Sequence, residues 1–198
     1  MKVTEMRILC HYILPLLLFS TVIAADTPQA DTLDIYVIDT CGGKAVIIQT
    51  PEGENMLIDA GYPRPDNRDT NRVIETAKSL GIKEFDHVVA THYDTDHSGN
   101  IASVDANIPG KIFYDHGDPM ASFGNRPNRD YESYINAIGQ RKRVIVKPGD
   151  TIPLKGVKIT VVSSAGKAIT KPLEGAGQPN EFAVADRPTV RSCRSSQS

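Results

Sequence analysis

Apolar and polar positions alternate over Leu33-Asp34-Ile35-Tyr36-Val37-Ile38, the period of a half-buried strand. Gly42-Gly43 turns the chain into a second strand, Ala45-Val46-Ile47-Ile48-Gln49. Pro51-Glu52-Gly53-Glu54-Asn55 reverses it again, into a third over Met56-Leu57-Ile58. Short strands at regular spacing, joined by glycine-containing turns, read as an antiparallel meander. It ends in Asp59-Ala60-Gly61-Tyr62-Pro63, a carboxylate followed at once by a reversal.

Beyond Pro63 the period changes. Asp69 or Thr70 caps a predicted helix through Leu80, with Val73, Ile74, Ala77 and Leu80 as its apolar face and Gly81 as its stop. Phe85 to Ala90 is the next strand, with the apolar run His87-Val88-Val89-Ala90 predicted to be buried. A short helix from His97 to about Val104, a strand over Lys111–Tyr114, a surface loop over Ala121–Arg129, a helix over Asp130–Gln140 and a strand over Arg143–Val146 follow. This β-α-β order packs sheet against helix and defines an α/β class. Thr151–Leu154 and Val157–Val162 are the last predicted strands. From Ser163 onward the residues are Gly, Ala, Pro and polar, with no strand or helix expected. So long a structureless end predicts an irregular tail or a fold whose last part is missing.

The chemistry gathers at the end of the Phe85–Ala90 strand, in Thr91-His92-Tyr93-Asp94-Thr95-Asp96-His97-Ser98-Gly99-Asn100. Loops at the C-terminal ends of strands are where α/β folds place their sites. His92 and Asp94 alternate, so an extended segment turns both to one side. Asp96 and His97 begin the next turn and face the same point from another angle. Imidazole nitrogens with carboxylate oxygens suit zinc, manganese or iron. A plainer role, Asp96 capping the segment that starts near His97, accounts for one carboxylate and leaves both histidines unexplained. His116, after the Lys111–Tyr114 strand, is a candidate substrate or metal contact, weighed against a surface-turn histidine. His87 reads as structural, and Arg141-Lys142-Arg143 as a solvated basic face.

Composition narrows the partners. The 198 residues suffice for one domain with a core. A formal net charge of -2 carries no nucleic-acid footprint, and 6% aromatic residues without Trp weigh against base- or sugar-stacking platforms. The expected partner is a small-molecule substrate. Lys2 and Arg7 precede a largely apolar run, Ile8 to Ala25, that ends in the small residues of a cleavage site. Residues 1–25 are therefore expected to be a signal peptide and the mature chain to be secreted or periplasmic, with no membrane association after cleavage. His11 and Pro15 interrupt the run, which is just under the ~20 residues of a membrane span. Cys10 leaves with the signal, so Cys41 and Cys193 are the thiols of the mature chain. An oxidising compartment permits their pairing, although Cys41 reads more simply as a small buried residue.

Thr91-His92-Tyr93-Asp94-Thr95-Asp96-His97 resembles the His-x-His-x-Asp-His signature of the metallo-β-lactamase superfamily, with Asp94 in the second-His position. Ile35-Tyr36-Val37-Ile38-Asp39, the Gly42-Gly43 turn, the meander and Leu57-Ile58-Asp59-Ala60-Gly61 match it as well. The Asp variant and the Gly149-Asp150 turn are most similar to the β-lactamase-like domain of competence-type DNA-uptake proteins and their secreted relatives. The resemblance covers residues 33 to 163. It implies an αββα four-layer sandwich whose N-terminal portion occupies 26–163, incomplete at the C-terminus, with an irregular tail over 164–198. It implies His92 and Asp94 as ligands of a first metal, Asp96 and His97 as ligands of a second, and Asp59 as the carboxylate that orients the loop. The chemistry implied is hydrolysis by metal-activated water, with Zn or Mn as the divalent ion, one or two per chain, and Asp96 in the catalytic centre. A phosphoester is favoured over a lactam or thioester. Asp94 adds negative charge at the first site, which favours a harder ion such as manganese. No His follows His116, and Asn180-Glu181 is the one polar pair downstream to stand in for further ligands. An incomplete fragment or binding module without turnover is thus the alternative expectation.

Overall fold

The computed structural model describes residues 32–40, 42–119 and 129–173. The expected signal segment, Cys41, Cys193 and Asn180-Glu181 lie outside the described residues.

The predicted meander forms as β1 (Asp34–Val37), β2 (Ala45–Gln49) and β3 (Asn55–Ala60), each antiparallel to the last. β4 (Phe85–Val89), β5 (Gly110–Asp115) and β6 (Lys142–Ile145) then add in parallel, giving one sheet in chain order. Parallel neighbours need crossovers. These are α1 (Arg68–Ser79), the pair α2 (Thr95–Ser98) and α3 (Ile101–Asp105), and α4 (Arg129–Ile138).

Strand alternation decides which layer each side chain meets. Leu57, Val88 and Phe113 face the helices and pack with Val73, Ala77, Ile101, Val104 and Tyr134. Met56, Ile58, Val89, Ile112 and Tyr114 face the other way, onto Ile152, Leu154 and Ile159 of the hairpin β7 (Thr151–Leu154) and β8 (Val157–Thr160). Each large apolar side chain taken fully out of water contributes about 1.5–3 kcal/mol. The layers are thus helix, sheet and, among the described residues, a small second sheet over part of the opposite face. Ile35 and Val37 on edge strand β1 lie beyond that cover, 58% and 80% exposed.

Several elements differ from expectation. Asn67, at φ 54, is the N-cap of α1, while Asp69 is buried in the first turn, where it accepts from the Tyr62 amide and pairs with Arg68. The carboxylate is used to hold the loop leaving β3 rather than to cap. The single helix over His97–Val104 is two short ones, and Asp94, not Asp96, stands at the N-cap of the first. Asn100 sits between them, its amide donating to the Tyr62 carbonyl. Arg141 and Arg143 are not a solvated face. Arg143 lies opposite Phe113 in the ladder and therefore on the helix side, where it pairs with buried Asp115. Arg141 binds Asp105 and covers the Phe113 ring. The tail also begins with structure, since β9 (Ser163–Ser164) and β10 (Lys167–Ala168) form a hairpin.

Candidate metal centre and cleft

β3 and β4 run parallel, so Asp59 at the end of one reaches the loop that leaves the other. Asp59 is completely buried, at φ 56. Its Oδ1 accepts from the Thr91 amide at 2.8 Å, and its Oδ2 accepts from Thr91 Oγ1 at 2.6 Å and lies 3.0 Å from His97 Nδ1. Lys44 Nζ stands 3.9 Å from the same oxygen. These bonds dictate the imidazole tautomers. A carboxylate only accepts, so His97 donates from Nδ1. The Thr91 hydroxyl has spent its proton on Asp59 and has lone pairs to offer His92 Nδ1, 3.1 Å away. One buried carboxylate, directly and through Thr91, thus leaves Nε2 of both histidines as a lone-pair donor.

Those nitrogens face the loop's own carboxylates. His92 Nε2 is 3.4 Å from Asp94 Oδ2, and His97 Nε2 is 3.7 Å from Asp96 Oδ2. The two rings lie 4.0 Å apart, centroid to centroid. The β1–β2 turn braces the loop from behind: the Lys44 amide donates to the Asp96 carbonyl at 3.1 Å. A Cβ on Gly43 would fall 2.2 Å from that carbonyl oxygen, so glycine is required there. The predicted residues His92, Asp94, Asp96, His97 and Asp59 are therefore brought together, but in pairs. Among the described residues no three His, Cys, Asp or Glu side chains already converge as a metal demands. The donor chemistry still fits a divalent cation, because both Nε2 atoms are aimed at anionic oxygens and both Nδ1 atoms are committed.

His92 and Asp94 open onto a cleft of about 620 Å3 between the C-terminal ends of the parallel strands and the Ser163–Ala168 hairpin. His116 lines it too, its ring packed against Tyr93 with centroids 4.7 Å apart and planes tilted by 48°. Its Nδ1 is buried and, among the described residues, has no hydrogen-bond partner. Tyr93 donates to the Gly117 carbonyl at 2.6 Å, and burial pushes its hydroxyl pKa up, with the Asp115 charge adding to the effect. Beneath them, Asp115 accepts from Arg143 Nε at 2.7 Å and from the Tyr134 hydroxyl at 3.0 Å. Its hydrogen bond raises the Arg143 pKa, so the guanidinium keeps its charge. His87 is buried away from the cleft, with Nδ1 3.1 Å from the Tyr114 hydroxyl.

Thr91 and the Ser163–Ala168 wall were not legible as parts of the site. A hydroxyl residue between a strand and the first histidine was the available signal for Thr91. The hairpin strands are two residues long, too short for any period to show.

Residues 38–178 match the family model of the metallo-beta-lactamase superfamily, and the chain belongs to that family. Members of the superfamily bind divalent metals, typically zinc. Among curated proteins no sequence matches the chain. Similar solved structures include a candidate metallo-beta-lactamase of Thermotoga maritima, 19% identical, with TM-score 0.45 and coverage of 61% of each chain. MEM-A1, a subclass B3 metallo-beta-lactamase from a soil metagenome library, is 16% identical, with TM-score 0.47 over 66% of this chain and 50% of its own. A diphosphatase of the PhnP family is 24% identical, with TM-score 0.38 over 60% of this chain and 43% of its own. The chain therefore spans only part of the length of the structures it matches.

Proposed function

We propose that this chain is a secreted, metal-dependent hydrolase acting on a phosphate ester. The observation that carries this reading is the tautomer relay from Asp59, which leaves His92 Nε2 and His97 Nε2 facing Asp94 and Asp96. His92 and Asp94 would hold one divalent cation, and Asp96 and His97 a second. Such a cation supplies Lewis acidity to the substrate oxygen and lowers the pKa of water. The residues supply the rest. Asp59 and Thr91 hold both imidazoles in one tautomer, Asp96 is a half-buried carboxylate placed to accept a proton at the loop, and Tyr93 and His116, packed ring against ring, form a wall that orients the substrate. Asp94, an anion where the signature has a neutral imidazole, supports manganese alongside zinc, and the likeness of this variant motif to competence-type proteins supports a phosphoester over a lactam or thioester. Lys2 to Ala25 is the sequence support for secretion or a periplasmic location. No described helix is long and apolar enough to cross a membrane.

A binding module without turnover is the second reading, supported by donors that meet in pairs and not in threes. Elemental analysis of the dialysed chain separates the two, beside a His92→Ala/Asp96→Ala variant. The hydrolase reading expects about one or two equivalents of zinc or manganese, lost in the variant, and cleavage of bis(p-nitrophenyl) phosphate reduced at least ~100-fold. Metal at the variant's background, with no cleavage of phosphodiester or lactam, would establish the binding module instead.

A further inference from the structure

The wall of the cleft beyond His92 and Asp94 is made by the last hairpin. Ser164 stands opposite Lys167 and Ser163 opposite Ala168. Ala165 and Gly166, at φ 48 and φ 72, make the two-residue turn. The Ile169 amide extends the ladder to the Val162 carbonyl at 2.9 Å, and Ser164 Oγ anchors the hairpin on the Val146 carbonyl at 2.7 Å.

That anchor decides where Lys167 points. Directly opposed residues of an antiparallel pair leave the ladder on the same face. Ser164 is turned towards the end of β6, so the Lys167 stem starts from the inner face and lines the cleft. The charged groups sharing that lining are Asp94 and Asp115, and Asp115 is already paired with Arg143. Among the described residues Lys167 has no carboxylate partner. From the metal loop, His92 and Asp94 line the same cleft. Asp94 is an anion where the signature has an imidazole, so it weakens the pull of a cation-loaded loop on an anionic substrate, and a cation on the facing wall offsets that loss. Val146, Ile152 and Val161 add an apolar stretch to the lining.

We propose that Lys167 is an anion-binding residue for substrate, its ammonium holding a non-bridging oxygen of a phosphate ester. The ester's apolar substituent lies along Val146, Ile152 and Val161, and its scissile centre faces His92 and Asp94. This assignment rests on the phosphoester reading for its substrate and on the hairpin geometry for its residue. Lysine meets phosphate as a point charge on a flexible stem, so arginine is expected to replace it and glutamine is not.

Calorimetric titration of inorganic phosphate into the metal-free full chain tests this without turnover. Wild type is expected to bind at millimolar concentrations, more weakly as salt is raised. Lys167→Gln should weaken binding roughly tenfold, about the size of one charge-assisted contact, while Lys167→Arg and the outlying Lys158→Gln keep it. Undetectable binding by wild type, or equal binding by Lys167→Gln, would overturn the assignment. Phosphate binding through Lys167 in a chain that hydrolyses nothing would overturn the hydrolase reading and leave this one standing. Phosphodiester cleavage with phosphate affinity unchanged in Lys167→Gln would do the reverse.

Discussion

Thr91 couples one buried carboxylate to two imidazoles. Its amide and hydroxyl both donate to Asp59, and the hydroxyl's lone pair serves His92. Thr91→Val keeps the shape and the amide bond but removes the relay, so His92 is free to rotate or change tautomer while His97 keeps its own bond to Asp59. Loss of such outer support typically costs 10–100-fold in metal affinity. We expect a zinc or manganese titration to show about a tenfold loss for Thr91→Val and near wild-type affinity for Thr91→Ser, within that range. Equal affinity in all three would show that the relay has no influence on His92. The candidate donors stand out in the sequence because four ligand-type side chains crowd one short loop. Thr91 was not, because its role depends on a carboxylate 32 residues earlier in the chain.

At the scale of elements, β5, β6 and α4 are joined below the cleft by Asp115, Arg143 and Tyr134. Periodicity placed all three elements to within a few residues, but it assigned the Arg141-Lys142-Arg143 run to solvent. A basic triplet looks solvated when only its charge is read. The ladder register puts Arg143 opposite Phe113, inside the helix layer, and a charge there requires the buried partner that Asp115 provides. Removing one member of such a pair leaves the other buried and uncompensated, at a cost of about 3–5 kcal/mol. Arg143→Met should therefore lower the urea midpoint strongly, whereas Lys142→Met, at an exposed position, should stay within about 0.5 kcal/mol of wild type. Similar midpoints for the two variants would mean that the pair adds nothing to the junction.

For the whole molecule, the second sheet is tied to the first through a buried histidine. His87 projects towards the face that β7 and β8 cover, beside Tyr114, with Nε2 3.6 Å from Glu54, which in turn binds Lys155. Burial holds the His87 pKa below its ordinary 6.5, although Glu54 and Asp86 pull it up and Lys111 pushes it down again. In the window below 6.5 the unfolded chain takes up a proton that the folded chain refuses. Stability from this group is thus complete above that value and is lost as the pH falls towards the folded-state pKa. Urea unfolding between pH 8 and pH 5 should show a steeper acid loss for wild type than for His87→Gln. Parallel profiles would assign the acid sensitivity to other groups. The same scale shows what the meander leaves open. Ile35 and Val37 stand uncovered on edge strand β1, with Asp34 and Asp39 as the charges beside them.

The contact between the Ser163–Ala168 hairpin and the end of β6 has a consequence in time. Everything that arranges the metal donors (Lys44, Asp59 and the Thr91–His97 loop) is synthesised well before this hairpin. Folding during synthesis proceeds from the N-terminal side. The donor loop is therefore expected to be in place while the groove beside it still lacks its far bank, so that under the proposed function capacity for an ion is acquired first and discrimination between substrates last.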